Sequence, residues 1–382
     1  AGGGAPAAGA KGAAPPAAAR KEPLVIGNVG TYSGPSGSAW KPGVEALKVW
    51  AKDINGRGGL DGHPVQLISV DDAGDPARHL SAVKDLVENK KAFAFAYNIV
   101  STSGSDAVDA YLAQKGVPVL GGDLTYKVWD KNKMYFPNGT PQDDQILAHV
   151  SGAAKLRPKL KKFGSFTCRE AEGCQAARAA YPAASRKAGL EPVYNAEVSI
   201  AQPDFTSECL GARNAGVEIL AIVVDPNSAR RVADSCARQN FRPTFLFVAT
   251  VVSSGQNGAE SINGTIGVIS TAPWVSAVSP GQVAFQAAVR KYAPSLKLNG
   301  ASTLGYSSGV LLETAAKLGL GQPASRAALI KNLGTFRTET LGGLTPPLNF
   351  TPGNKRVVPC FFALEYTNTK WGQANGGKHL CP

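Results

Sequence analysis

From Leu24 onward the chain repeats one pattern: a short apolar run, a loop of small and polar residues, then a helical stretch. LVIGNV, PVQLISV (64–70), KAFAFAY (91–97) and VPVLGG (117–122) read as strands, separated by helices over 40–54, 77–89 and 103–115. After Met134-Tyr135-Phe136-Pro137 the pattern restarts. It runs through helix 142–155, strand KKFGSF, helix 173–188, strand PVYNAEVS, helix 206–214, strand EILAIVV, helix 227–239, strand TFLFVA and then TIGVIST. Strands that alternate with helices pair in parallel, so the predicted fold class is α/β with two successive doubly wound, Rossmann-like units. A chain of 382 residues is long enough to give each unit its own core. The tail holds helical stretches over 281–292, 303–318 and 324–333, followed by the strand-like PPLNF and PCFFALEYT. With so little sheet of its own it must dock on sheets already formed, so the chain crosses between the two units more than once.

Residues 1–21 stand apart, because AGGGAPAAGAKGAAPPAAAR cannot bury enough surface to offset the entropy of ordering, and they read as a flexible tether. No stretch approaches the length of a membrane span, and no charged-then-apolar signal sequence is present. The protein is then either cytosolic or already processed, and its cysteines separate those options. None of Cys168, Cys174, Cys209, Cys236, Cys360 and Cys381 belongs to a CxxC pair or has a His at finger-like spacing, so neither a metal nor another cofactor is expected. An even count with near neighbours suggests the pairs Cys168–Cys174, Cys209–Cys236 and Cys360–Cys381, one of several connectivities open to six cysteines; buried free thiols are the plainer alternative. Disulfides would place the protein outside the cytoplasm, where a processed chain that begins with a loose tether also fits. The net charge of +12 invites a nucleic-acid partner, but the densest basic run, KLRPKLKK (155–162), lacks interleaved aromatics and reads as a solvated helix end. No nucleic acid is expected.

In open α/β sheets ligands sit at the carboxyl ends of strands, so candidate contacts can be read from the loops that follow them. The first is LVIGNVGTYSGPSG (24–37), where an apolar run ends abruptly in Gly, Ser and Thr and lets a small ligand approach backbone N–H groups. In the first unit the candidates are Tyr32, Ser33, Ser36 and Trp40, then Tyr97, Ser101, Thr102 and Ser103, then Gly122, Asp123, Leu124 and Thr125. The second unit should supply Phe166, Thr167, Cys168 and Arg169, then Asp225, Pro226 and Asn227, then Ala249, Thr250 and Val251. Tyr32, Trp40, Tyr97, Tyr126 and Trp129 cluster near the first unit's loops, and a minority of them is expected to touch ligand. A rival reading is catalytic: Gly305-Tyr306-Ser307-Ser308-Gly309 matches a G-x-S-x-G elbow, with His379 downstream. That motif needs a strand before the serine, and LKLNGAST is a poor one. No enzymatic activity is expected.

The chain resembles the type I periplasmic solute-binding proteins of ABC transporters, specifically the branched-chain amino-acid binding family. The resemblance rests on IGNVGTYSGPSG, AKDINGRGGLDGHPVQLISVDDAGDP, the STSG turn, YSSGVLLETAAK and GGLTPPLNFTPGNK, and covers nearly the whole chain after residue 22. It implies two lobes joined by three crossovers, with ligand in the cleft between them and closure about a hinge. Mapped here, lobe 1 would hold 22–138 and 273–340, and lobe 2 would hold 139–272 and 341–382. Ser101, Thr102 and Thr125 are the carboxylate partners that the resemblance favours. The sequence departs from the family where an acidic residue commonly holds the ligand ammonium, because Ala249-Thr250-Val251 stands there, and where Tyr is frequent, because Asp225-Pro226-Asn227 stands there. Asp123 and Asp225 are the candidates to replace the missing anion, and either can instead serve a helix terminus. The implied function is capture of a small polar solute, amino-acid-like or a small carboxylate with aromatic ones included, for delivery to an ABC transporter permease. The implied protein is an extracytoplasmic monomer, with a lipid anchor at a Cys before Ala1 as a fitting use of the tether. A ligand-sensing receptor domain on the same scaffold is the alternative.

Overall fold

A computed structural model describes residues 21–34, 37–99, 105–125, 128–351, 354–357 and 359–381. The expected alternation builds two sheets. The first orders its strands β2-β1-β3-β4-β5, all parallel, from β1 (Leu24–Gly30), β2 (Val65–Asp71), β3 (Ala94–Asn98), β4 (Val119–Gly122) and β5 (Tyr135–Phe136). Its connections are α1 (Gly37–Gly56), α2 (Pro76–Glu88), α3 (Ser105–Lys115) and the short α4 (Val128–Lys131). The second unit opens with α5 (Gln142–Leu156) and alternates β6 (Lys162–Cys168), α6 (Glu172–Lys187), β7 (Glu191–Val198), α7 (Thr206–Asn214), β8 (Ile219–Val223), α8 (Pro226–Arg238), β9 (Thr244–Val248) and β10 (Ile266–Ile269). The chain then adds α9 (Pro280–Tyr292), α10 (Gly300–Ala316), α11 (Arg326–Leu333), β11 (Leu348–Thr351), β12 (Asn354–Val357), β13 (Phe362–Thr367) and β14 (Lys370–Gln373). β13 and β14 join the second sheet antiparallel, giving the order β14-β13-β10-β9-β8-β6-β7.

Sequence explains the starts of several helices. Asp75-Pro76, Asp225-Pro226 and Ser279-Pro280 each place an acceptor side chain at the N-cap and a proline, which has no N–H to leave unpaired, at the first helical position. The loop after β1 is held by the paired acids that end β2. Tyr32 N–H donates to Asp71 Oδ1 at 3.0 Å and Thr31 Oγ1 donates to Asp72 Oδ1 at 2.7 Å, while Asp72 Oδ2 meets His79 Nδ1 at 2.7 Å. That tether fixes the approach to α1 and the position of Trp40.

In the tail, α10 packs on α1 at backbone distance. A Cβ on Gly305 would fall 2.0 Å from the Gly43 carbonyl oxygen, and one on Gly309 would fall 2.1 Å from the Trp50 ring. At the far end Glu313 accepts from Arg57 twice, at 2.8 and 2.9 Å, from Trp50 Nε1 at 3.3 Å and from Lys317. Burial pushes the Glu313 carboxyl up, but these cationic donors outweigh it and hold it at about 2. GYSSG is thus a helix-packing stripe. Ser307 lies mid-helix and fully buried, its hydroxyl donating to the Leu304 carbonyl and accepting from Asn138, while His379 packs edge-on against Phe362. No nucleophile elbow exists there.

One expectation about the tail is corrected. PPLNF is expected to return to lobe 2 from residue 341, yet among the described residues β11 pairs with β12 and, through Leu348, with Glu339, and neither strand joins the second sheet. Phe350 stacks on Phe336 at 5.8 Å and meets Phe136 edge-on at 5.6 Å, and the Ala272 and Gly281 N–H groups bond the carbonyls of Leu344 and Gly342. The apolar side of this hairpin is satisfied by the first lobe, and the return to the second sheet comes with β13. The three disulfides are Cys168–Cys174, Cys209–Cys236 and Cys360–Cys381. Although Cys360, His379 and Cys381 converge, the two sulfurs are bonded to each other and are not free to take a metal.

Candidate functional site

The carboxyl ends of the two sheets face a shared cleft whose volume, open to the centres of water molecules, is about 120 Å³. That is room for one small ligand. Its walls are mainly apolar. Trp40, Leu124, Ala301 and Leu304 come from the first lobe, and Ile146, Ala177, Ile200, Val223 and Val248 from the second. Among the described residues no Lys or Arg lines it.

Of the residues chosen from sequence, Trp40, Asp123, Leu124, Thr125, Cys168, Asp225 and Thr250 come together on the cleft. Ser36, Ser101, Thr102, Ser103 and Tyr126 lie outside the described residues. Tyr32, Tyr97 and Asn227 do not line it. The Tyr32 hydroxyl donates to Asn28 Oδ1 at 2.9 Å, and the Tyr97 hydroxyl donates to the Trp40 carbonyl at 3.0 Å beneath Gly43, where a Cβ would collide with it. These two rings are core struts of the loops rather than contacts for ligand. Asn227 is exposed at the first turn of α8. Among the described members of the aromatic cluster only Trp40 reaches the cleft, since the Trp129 indole donates to the Asp123 carbonyl and packs on Tyr135. Arg169 points to the surface, 3.8 Å from Glu197.

The two acids take different roles. Asp225 caps α8: Oδ1 accepts from the N–H groups of Asn227 and Ser228, and Oδ2 accepts from the Ser228 hydroxyl. Its charge is already used. Asp123 is 4% exposed, and its Oδ1 accepts from the Thr125 N–H at 2.9 Å and hydroxyl at 2.6 Å. Among the described residues its Oδ2 has no partner. Burial pushes the Asp123 carboxyl up to about 6, and the two bonds from Thr125 only partly oppose it.

Several cleft residues escape the strand-end rule because they project from helix interiors. Gln145 and His149 of α5 and Tyr181 of α6 line the second lobe's side. Gln145 Nε2 donates to Ser270 Oγ at 2.6 Å, and burial alone drives the His149 imidazole down to about 3. Ser270 and Thr271 follow β10, and the hydroxyl pair ending TIGVIST was a readable signal for them. Helix N-termini complete the site. α10 contributes Gly300 and Ala301, and α6 contributes Ala171, Gly173 and Cys174. α10 is capped by Asn299, whereas α6 has no side-chain cap, so its first N–H groups are open to an anion, although Glu172 in the same turn already places one negative charge at that end of the dipole. Across the cleft Thr125 lies against Gly173, where a Cβ would come 2.9 Å from Thr125 Oγ1.

Two Rossmann-like lobes facing one another over such a cleft define the class of bilobal α/β binding proteins. A family model described as periplasmic binding protein matches residues 23–373, and the chain belongs to that family, a family of binding proteins. Curated relatives include an amino acid binding protein of Pseudomonas aeruginosa, 24% identical over 197 residues, which are 52% of each chain. Another is Leu/Ile/Val-binding protein homolog 3 of Brucella melitensis, 28% identical over 206 residues, 52% of this chain and 53% of that one. The aligned part thus spans about half the length of these relatives. Similar solved structures include an ABC transporter substrate-binding protein from Aeropyrum pernix (TM-score 0.81, 15% identity, 95% of this chain and 97% of that one). A fatty acid ABC transporter substrate-binding protein from Thermomonospora curvata gives a TM-score of 0.77 at 18% identity, covering 94% and 91%. A solute-binding protein of R. palustris in complex with benzoate gives 0.75 at 16%, covering 94% and 98%. At these identities the solved structures establish the fold.

Proposed function

We propose that the chain is the extracytoplasmic solute-binding component of an ABC transporter, and that its cleft holds a small carboxylate with an apolar body. The observation that carries this reading is the composition of the cleft: apolar walls that, among the described residues, hold no Lys or Arg, and the N-terminus of α6, which no side chain caps, as a site for negative charge. Backbone N–H groups with a helix dipole suit one carboxylate, and the missing cations make a polyanion or phosphate ester a poor fit. Thr125, Thr250 and Ser270 supply hydroxyls beside it. Amino acids, fatty acids and benzoate, named for the relatives and structural neighbours, share a carboxylate and differ in the rest. Three disulfides fit an oxidising compartment, and among the described residues no helix is long and apolar enough to cross a membrane.

A second reading, that the ligand is an α-amino acid, is favoured by one observation: the buried Asp123 carboxylate has an oxygen without a partner, which an ammonium would pair. Calorimetry and thermal-shift screening of matched pairs such as phenylalanine and 3-phenylpropionate test both readings together. Binding of either raises the melting temperature, by the equivalent of about 2.7 kcal/mol at a hundredfold excess over Kd. If no carboxylate of either kind shifts it while sugars or phosphate esters do, the proposal fails.

A further inference from the structure

The cleft does not stop at the strand ends. Between α5 and α6 it reaches His149 and Tyr181, which are 5% and 1% exposed, with Ile146, Ala177 and Val223 making the rest of that wall. The Tyr181 hydroxyl oxygen lies 3.5 Å from His149 Nδ1, and His149 Nε2 has no partner. In the neighbouring strand Thr167 is the register partner of Val223, which puts both side chains on one face of the sheet; Thr167 is wholly buried and its Oγ1 is also unpartnered. Native interiors rarely leave buried polar atoms unpaired, and His149 Nε2, on a residue that lines the cavity, calls for a partner that arrives with the ligand; Thr167 is not itself in the lining but neighbours Val223, which is.

We propose that this deep end of the cleft is a subsite for a hydroxyl group at the end of the ligand remote from its carboxylate, with His149 and Thr167 as its hydrogen-bond partners. The inference rests on the carboxylate reading above and names the substrate class within it: hydroxylated carboxylates, aromatic ones by size. A hydroxyl both donates and accepts, so it complements Nε2 whichever tautomer the Tyr181 contact selects. A charged group does not suit the position, because no Lys or Arg among the described residues lines the cleft and burial keeps the imidazole neutral. The remaining titratable groups on the cleft, Asp123 and Asp225, are held by the loop of Thr125 and by the first turn of α8.

Calorimetry with three matched pairs tests the subsite: 4-hydroxybenzoate and benzoate, 4-hydroxyphenylacetate and phenylacetate, tyrosine and phenylalanine. The quantity read is the affinity ratio within each pair that binds. Wild type should favour the hydroxylated member by roughly tenfold or more, since its rival leaves buried groups unpaired. The ratio should collapse toward one in His149→Phe and drop several-fold in Thr167→Val, while His149→Gln, which retains a donor, keeps part of it. A wild-type ratio at or below one, or a ratio that survives both substitutions, overturns the subsite while leaving the carboxylate reading intact. Failure of all six compounds to bind, with other solutes binding, refutes the carboxylate reading and the subsite with it. Should His149→Phe not fold, the wild-type ratio and Thr167→Val decide.

Discussion

At the scale of single residues, the two acids on the cleft make different predictions. Asp123 combines deep burial with a carboxyl raised to about 6, well above its unfolded value of 3.8. The folded protein therefore binds the extra proton, and stability falls as pH rises from 3.8 through 6. Asp123→Asn, which keeps an acceptor for Thr125, should raise stability at pH 7.5 by on the order of 3 kcal/mol and give no gain below pH 4, measured by urea unfolding across pH. If an ammonium is the natural partner, its affinity drops as pH falls below about 6, because the protonated carboxyl has no charge to offer; the deaminated analogue shows no such drop. Asp225 predicts otherwise. Asp225→Ala removes the cap of α8 and should cost about 1 kcal/mol of stability without abolishing any preference for aminated ligands. The Asp-Pro step at 225–226 was the readable sign of that role, matching Asp75-Pro76 at the start of α2.

At the scale of elements, the pairing of α1 with α10 bears most directly on the site, because it places both Trp40 and the start of α10 on the cleft. Gly305 faces the Gly43 backbone, which cannot yield as a flexible side chain would. Gly305→Ala should therefore destabilise by about 2 kcal/mol or more, seen as a lower urea midpoint at unchanged slope. A loss under 0.5 kcal/mol would mean that the helices separate easily and that the contact matters little. The sequence presents these glycines only as a motif-like string, G-x-S-x-G, and string matching cannot tell an elbow from a packing stripe. What separates them is the residue that lies opposite, and that residue sits 262 positions away at Gly43. The hairpin of β11 and β12 teaches the same lesson: PPLNF is legible as a strand, but its lobe is decided by Phe136 and Phe336.

At the scale of the whole molecule, one place where the lobes meet is Thr125 against Gly173, where a Cβ would crowd the Thr125 side chain at 2.9 Å. Gly173→Val should hold the lobes apart, raising Kd at least tenfold and the ligand-bound radius of gyration in X-ray scattering, while the ligand-free melting temperature stays nearly unchanged. Unaltered affinity would show that ligand capture does not use this contact. Alternation of strand and helix, the restart after residue 137 and the strand-end loops follow from local pattern, because apolar periodicity and turn residues act over a few positions, whereas the cysteine spacing only suggested the disulfide pairs among several connectivities. Those loops hold Trp40, Asp123, Thr125 and Thr250, all of which line the cleft. Periodicity cannot separate a ring that faces ligand from one that braces a loop, so Tyr32 and Tyr97 looked like Trp40. Nor can it mark His149 or Tyr181, which read as ordinary helix-interior residues until α5 and α6 close over the sheet. The sequence by itself determined the fold class and the loops that follow the strands; only the tertiary structure decided which side chains meet in the cleft, since a cleft between lobes is made of contacts between segments far apart in the chain.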